Sequence, residues 1–98
     1  MEKKTPHCKL SMVQVLVQAG KVRFTLSAIA GGAALGFDAH AIVAVVLALK
    51  RQDFHKSMTT HADHTVWQDV YRPTTPAGEV YLKLTDVDDV LIVSFKEL

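Results

Sequence analysis

The sequence has little with which to build a disulfide framework or a strong electrostatic field. Its single cysteine, Cys8, cannot form an internal disulfide, which favours a reducing compartment and predicts a cytoplasmic protein. Lys and Arg number 11 against 10 Asp and Glu, and the formal net charge of +1 supplies no global attraction for an anionic partner. Any anion-binding surface must therefore be a local cluster of cations.

The sequence also lacks an uninterrupted hydrophobic run of membrane length. The apolar stretch 24–49 carries Asp38 and His40 near its middle, whereas a spanning helix needs ~20 predominantly apolar residues. The apolar run after the basic start is interrupted by Gln14 and Gln18, which argues against an export signal. We therefore predict short buried helices over this stretch and no association with a membrane.

Apolar spacing predicts three helices in the first half of the chain. The first runs over about 8–19, with Thr5 and Pro6 as its cap and first residue. Thr25 or Ser27 caps the second. The third follows its own cap, Asp38, and is apolar nearly all round, so we expect it to be the most buried helix and to lie against the sheet.

From Asp53 the apolar period changes from helical spacing to alternation, which predicts strands. Short turns join consecutive strands, so these should pair antiparallel in a meander. The predicted strands are about 54–58, 65–72, 79–85 and 90–96. The sequence thus predicts one α+β domain over 1–98, helical over about 1–50 and a sheet over about 53–97, with N-terminal helices packed on one face of a C-terminal antiparallel β-meander.

The turns also predict which residues lie opposite each other. A six-residue connection PTTPAG places Val70 opposite Tyr81, and a turn at DVDD places Tyr81 opposite Ser94 and Glu79 opposite Lys96. One face, expected to be the core, then carries Val80, Leu82, Leu84, Leu91, Val93 and Phe95. The opposite face carries Lys56, Gln68, Arg72, Tyr81, Lys83, Ser94 and Lys96. Polar residues of these types are also normal on the solvent side of any half-buried sheet.

The same alternation sends three residues of the second predicted strand towards the core. Trp67 and Tyr71 are then packing residues rather than base-stacking ones. Asp69 follows them inward, and a buried carboxylate needs a partner that the sequence does not identify.

Four segments carry a resemblance to a known family: MEKKTPH, FHKSMTTHADHTVWQDVYRP, GEVYLKLT and DVLIVSFKE. In these the chain resembles the MqsR family, the motility quorum-sensing regulator toxins of bacterial toxin–antitoxin pairs, whereas the helical half is similar mainly in pattern. The resemblance implies a RelE-like fold and an endoribonuclease that cleaves mRNA at short GC-containing sequences. It also implies a cognate MqsA-like antitoxin with a zinc domain and a helix-turn-helix.

The residues that the family uses for catalysis fall on Lys56 in HKSMTT, Gln68 in WQDVY, Tyr81 in VYLKL and Lys96 in SFKE. RNA carries its own nucleophile, so cleavage needs a base, donors for the phosphorane charge and an acid, and no metal or cofactor is expected. The two lysines are expected to hold the phosphate, and either is a candidate base. The amide donates to a phosphate oxygen, and the tyrosine donates or stacks on a base.

Five further residues are expected to contact the RNA. His61 stands where the family usually has a tyrosine, and it and His64 are alternative proton-transfer groups because histidine titrates near neutrality. Arg72 either positions a phosphate or pairs with the acid of the next strand. Lys83 lies on the same predicted face, and His7 matches a family position, although an exposed N-terminal histidine is the plainer interpretation.

Two other classes of function compete with an RNase. A metal site built from His55, His61, Asp63 and His64 is disfavoured because the spacing fits no standard zinc pattern. A non-catalytic module would use the same face to bind RNA or a partner protein without cutting. Direct binding of DNA by the chain alone is not expected, because no helix-turn-helix with a basic recognition helix is present.

Overall fold

The computed structural model describes residues 1–98, which form three helices and seven strands. The helices are α1 (Leu10–Gln18), α2 (Leu26–Ala34) and α3 (Ala39–Leu47). The strands are β1 (Glu2–Lys3), β2 (Val22–Phe24), β3 (Phe54–Thr59), β4 (Trp67–Tyr71), β5 (Thr74–Thr75), β6 (Gly78–Val87) and β7 (Asp89–Glu97). None of the helices is long and apolar enough to cross a membrane alone, and α2 and α3 reach that length only as a pair bent by 92°.

The strands form one sheet in the order β1-β3-β4-β6-β7-β2, with β5 added to β6. The central strands pair antiparallel, as the short turns predict, and only β2 is parallel to its neighbour, β7. The predicted α+β class, with helices first and a meander after them, is confirmed. β1 and β5 are two residues long each, too short for alternation to reveal them in the sequence.

Two of the predicted helix caps are confirmed and one is wrong. The Thr25 hydroxyl accepts a hydrogen bond from the Ala28 N–H at 3.0 Å, and the Asp38 carboxylate accepts one from the Ala41 N–H at 2.8 Å. Thr5 and Pro6 do not begin α1, which starts after Lys9 without a side-chain cap. The residues between β1 and α1 instead contact strand β4, where the N–H groups of His7 and Cys8 donate to Asp69.

The helix nearest the sheet is α2, not α3 as its apolar composition predicts. Small residues let α2 approach β7 closely: a side chain at Gly31 would stand 2.0 Å from the carbonyl oxygen of Phe95. α3 packs against α1 and α2 and buries Ile42 and Val46 completely. The valines of α3 give it a wider apolar surface. The alanines and glycines of α2 let its backbone come closer to the sheet.

The β4–β6 register differs from the predicted one by two residues. Val70 lies opposite Lys83 rather than Tyr81. The predicted six-residue connection is in fact a tight hairpin, in which Thr75 pairs with Gly78. The proline before this glycine favours the turn, and Gly78 adopts a φ of +95° that other residues rarely reach. A shift of two preserves alternation, so each side chain stays on its predicted face.

The β6–β7 register also differs, and here a β-bulge changes the faces. Tyr81 lies opposite Lys96 rather than Ser94, and the register shifts where Val93 has no partner. The extra residue reverses the alternation along β7. The prediction that Leu91 and Val93 face the core is therefore wrong, and the buried residues of β7 are Val90, Ile92 and Phe95.

The core lies between the helices and one face of the sheet. The helices contribute Val13, Val17, Ala28, Ile42 and Val46, and strands β6 and β7 contribute Val80, Leu82, Leu84, Val90, Ile92 and Phe95. This arrangement leaves the other face of the central strands without covering helices. The four predicted catalytic residues, Lys56, Gln68, Tyr81 and Lys96, project from that uncovered face.

Asp69 is buried, as predicted, and the structure supplies its partner. Its carboxylate oxygens accept hydrogen bonds from the backbone N–H of His7 at 3.0 Å and of Cys8 at 2.9 Å. These bonds fasten the segment between β1 and α1 to the sheet. Tyr71, on the same side of β4, is fully buried and packs edge-to-face with the Phe54 ring.

Candidate active site

The cross-strand pairs place the predicted catalytic residues on one side of the sheet. Lys56 lies opposite Val70, which lies opposite Lys83, and residues paired in this way share a face. Gln68 and Tyr81 are each two residues from a member of this row and point to the same side. Lys96, opposite Tyr81, joins them. We call this surface the cationic face; its residues are Lys56, Gln68, Tyr81, Lys83 and Lys96.

Tyr81 and Lys96 form the closest unit of the cationic face. They are direct partners on β6 and β7, and the Lys96 ammonium lies 5.1 Å from the centre of the Tyr81 ring. This distance suits a cation–π contact. The ring is half-buried and the ammonium exposed, so both can meet a ligand that approaches from solvent.

Lys56 has a partner that the sequence does not reveal. Its Nζ donates to the Glu2 Oε2 at 2.6 Å, and the Lys56 side chain is 23% exposed. Glu2 belongs to β1, where it pairs with Met58 on β3. The hydrogen bond and positive charge of Lys56 stabilise the Glu2 carboxylate and lower the pKa of its carboxyl.

Lys83 occupies the middle of the cationic face. It lies between Val70 on β4 and Ser94 on β7 and is half-buried. Burial, followed by the charge of Lys96, lowers the pKa of the Lys83 ammonium. Only the neutral amine accepts a proton, and a lowered pKa increases the neutral fraction of a lysine, which adds Lys83 to the candidate bases.

Arg72 stands at the end of β4 and does not pair with Glu79. The only ion pairs are Lys56 with Glu2 and Arg23 with Asp89. The Arg72 Nε is buried without a hydrogen-bond partner. His55 lies in the irregular start of β3, where burial, and then the charge of Arg72, lower its pKa.

The two loop histidines lie beside the cationic face rather than in it. His61 and His64 are exposed in the loop that joins β3 to β4. Asp63 orders this loop by accepting hydrogen bonds from the N–H and hydroxyl of Thr65 at 2.8 and 2.6 Å. That carboxylate is therefore engaged within the loop. No group of three or more His, Cys, Asp or Glu side chains is placed to hold a metal ion.

His7 lies on the helix-covered side of the sheet, away from the other candidates. Its ring stacks on Trp67 with centroids 5.9 Å apart, and the Lys3 ammonium lies 4.2 Å from the Trp67 ring centre. It also lines a cavity of about 680 Å³ beside the start of α1 and the end of α3. The structure does not bring His7 together with Lys56 or Tyr81.

The cationic face is open rather than concave. Three cavities, of about 680, 590 and 470 Å³, are lined by other residues. Lys56 and Lys96 stand on strands three positions apart, a separation of about 14 Å between backbones at the usual strand spacing. An open surface of this width suits an extended chain with several phosphates better than a small molecule.

The fold and the cationic face together define a class: an α+β protein that presents cations and a tyrosine on an open sheet, as proteins that bind single-stranded nucleic acid do. Sequence comparison narrows the class. A model of the motility quorum-sensing regulator, toxin of MqsA, matches residues 5–97. The chain is also 57% identical, over 97 residues and 99% of each chain, to the mRNA interferase toxin MqsR of Escherichia coli strain K12. The chain belongs to this family of toxins.

One residue of the site was not predicted from the sequence. Glu2 reaches Lys56 only because the two residues of β1 pair with the edge of β3. A strand of this length carries no periodic signal. The resemblance of the opening MEKKTPH to the family marks the segment as unusual, but does not assign its glutamate a role.

Proposed function

We propose that the chain is the toxin of a toxin–antitoxin pair and acts as a metal-independent endoribonuclease on mRNA. Its membership of the family and its 57% identity to an mRNA interferase support the activity. The observation that supports the site is the placement of Lys56, Gln68, Tyr81 and Lys96 on one uncovered face of the sheet. We propose that mRNA lies across this face.

The chemistry needs no cofactor, because RNA brings its own nucleophile. A base takes the proton of the 2′-hydroxyl, the 2′-oxygen attacks phosphorus, and the bond from phosphorus to the 5′-oxygen breaks. An acid returns a proton to that leaving oxygen. The products are a 2′,3′-cyclic phosphate and a free 5′-hydroxyl.

We assign the roles by charge and position. Lys56 and Lys96, about 14 Å apart between backbones, bind neighbouring phosphates of the RNA, and the Gln68 amide donates to a non-bridging oxygen. Tyr81 offers its ring to a base or its hydroxyl to the phosphate. Lys83 lies between these groups, and the lowered pKa of its ammonium suits proton transfer.

The proposal extends to substrate sequence, partner and location. Short GC-containing sequences are the expected cleavage sites, and a neighbouring loop with His61 and His64 is the expected contact with flanking nucleotides. We propose that a cognate antitoxin with a zinc domain and a helix-turn-helix holds the toxin inactive. The place of action is the cytoplasm, where mRNA is translated.

The product ends test the reaction directly. Purified protein is incubated in EDTA with a short RNA of defined sequence and with the same RNA carrying one 2′-deoxynucleotide at the cleaved position. We expect the first RNA to yield a 2′,3′-cyclic phosphate by mass spectrometry, and the second to remain whole. Binding of both RNAs without cleavage would instead indicate a non-catalytic RNA-binding module.

A further inference from the structure

The Lys56 ammonium is already bound to an anion within the protein. The Glu2 carboxylate accepts its hydrogen bond at 2.6 Å, the distance of a strong charge-assisted bond. A phosphate oxygen of bound RNA needs the same donor from Lys56. The carboxylate of Glu2 therefore stands where a phosphate group is expected.

The position of Glu2 is set by the sheet rather than by the flexibility of a surface side chain. β1 pairs antiparallel with β3, so that Glu2 lies opposite Met58 and Lys3 opposite Ser57. Met58 in turn lies opposite Gln68, which places Glu2, Met58 and Gln68 in one row of the cationic face. The Glu2 side chain is 54% exposed, so the solvent from which RNA would come reaches it.

A tethered carboxylate has two effects on this site. It holds the end of a long, flexible lysine side chain in one place, which reduces the ordering that RNA must impose. It also cancels the positive charge of that lysine, so Lys56 contributes little to the long-range attraction of RNA until the pair opens.

We propose that Glu2 is a positioning residue of the cationic face, which holds the Lys56 ammonium in place and yields it to a phosphate of the RNA. This inference rests on the proposed function, since it assigns Glu2 a role at the same site. Glu2 itself takes no part in proton transfer. A phosphate must displace the Glu2 carboxylate from Lys56. The affinity for RNA is therefore lower, and less dependent on salt, than it would be for the same lysines without Glu2.

The salt dependence of RNA binding tests this exchange. We would measure the Kd of wild type and of Glu2→Gln for a short single-stranded RNA with methylated 2′-hydroxyls, which cannot be cleaved, over a range of salt concentrations. Glu2→Gln keeps the size and a hydrogen-bond acceptor but frees the charge of Lys56. We expect tighter binding by a few-fold at low salt. We take the association constant as 1/Kd. The slope of its logarithm against the logarithm of the salt concentration should become more negative by about 0.7, the value for one additional phosphate of a single strand.

Two variants serve as controls. Glu97→Gln makes the same change of charge on an exposed residue that pairs with Val80, on the other side of the sheet from Lys56. We expect it to leave the slope unchanged. Glu2→Asp keeps the negative charge, and we expect it to retain the wild-type slope. A slope that changed in Glu2→Asp as well would indicate a general loss of β1 rather than an effect of the charge of Glu2.

The rate of cleavage separates this role from others. At saturating cleavable RNA, Glu2→Gln should lose only a few-fold in kcat while its KM falls. A loss of 100-fold or more in kcat with unchanged affinity would overturn the proposal, because Glu2 would then be a base. An unchanged Kd and slope would also overturn it. If wild type binds RNA but does not cut it, the enzyme assignment fails, whereas the slopes still decide the role of Glu2.

Discussion

Tyr81 and Lys96 are direct cross-strand partners, and the ammonium of Lys96 lies 5.1 Å from the centre of the Tyr81 ring. The contact joins two of the four candidate catalytic residues into one unit at the β6–β7 pair. A base stacked on this ring would place its own phosphate beside the ammonium. We propose that this unit combines recognition of a base with neutralisation of the backbone.

Tyr81→Phe separates the ring of Tyr81 from its hydroxyl. The variant keeps the aromatic face and the cation–π contact with Lys96, so the Kd for an uncleavable RNA should change little. We expect the rate of cleavage to fall by 10-fold or more, because a donor to the reacting phosphate is lost. Tyr81→Ala is the comparison, and should weaken binding as well. If Tyr81→Phe cleaves at the wild-type rate, the hydroxyl has no part in the reaction.

Lys83→Met should stabilise the protein at neutral pH. Burial, and then the charge of Lys96, lower the pKa of Lys83, so the folded state holds its proton less tightly than the unfolded state does. The folded state therefore bears a cost while Lys83 is charged. That cost disappears as pH rises from the lowered pKa through the ordinary lysine value of about 10.4.

The measurement is the Tm of Lys83→Met and of wild type between pH 7 and pH 10.5. We expect the variant to melt higher at pH 7 and the difference to shrink towards pH 10.5. Lys21→Met removes an exposed lysine before β2 and serves as the control, with no such trend expected. A difference that grows with pH would contradict the sign of the pKa shift.

Asp69→Asn tests the anchor of the N-terminal segment. The carboxylate accepts hydrogen bonds from the N–H groups of His7 and Cys8, and an amide has only one oxygen with which to accept. We expect a loss of about 1–3 kcal/mol in the free energy of unfolding, the cost of a buried group left unpaired. Asp88→Asn, in the exposed β6–β7 turn, is the matched control and should be nearly neutral. If the two variants are equally stable, the Asp69 carboxylate does not anchor the N-terminal segment.

Leu82→Ala tests which face of β6 is the core. Leu82 is fully buried in the cluster shared by the helices and the sheet, so its truncation should cost about 2–5 kcal/mol in denaturant unfolding. The same truncation at Leu26, which is 89% exposed at the start of α2, should cost far less. A neutral Leu82→Ala would mean that the faces of the sheet are inverted.

Alternation of residue types was enough to predict the face of the sheet on which most candidates lie. The β4–β6 register was wrong by two residues, yet Gln68 and Lys83 stayed on the predicted side because two is the period of a strand. The turn caused the error. Thr75 and Gly78 pair across a tight hairpin, whereas the sequence PTTPAG reads equally well as a six-residue loop.

The features that the sequence could not give depend on contacts between distant segments. The bulge at Val93 has no signature in the local sequence. Because of it, Val90 and Ile92 face the core in place of the predicted Leu91 and Val93. The partner of Asp69 is a pair of backbone N–H groups more than sixty positions away, which no side-chain pattern announces. Glu2 reaches Lys56 because the two-residue strand β1 pairs with β3, more than fifty positions away. The sequence pattern does not reveal this pairing, so Glu2 was not predicted as a member of the site.

The most direct test of the cationic face is the cleavage rate of Lys56→Ala in the presence of EDTA. Wild type and Lys21→Ala should cut a short GC-containing RNA at the same rate, and Lys56→Ala should be slower by orders of magnitude. Its Tm should stay close to that of wild type, because a solvent-facing ion pair contributes little to stability. Cleavage by Lys56→Ala at the wild-type rate, or loss of wild-type cleavage in the chelator, would contradict a metal-independent reaction on this face.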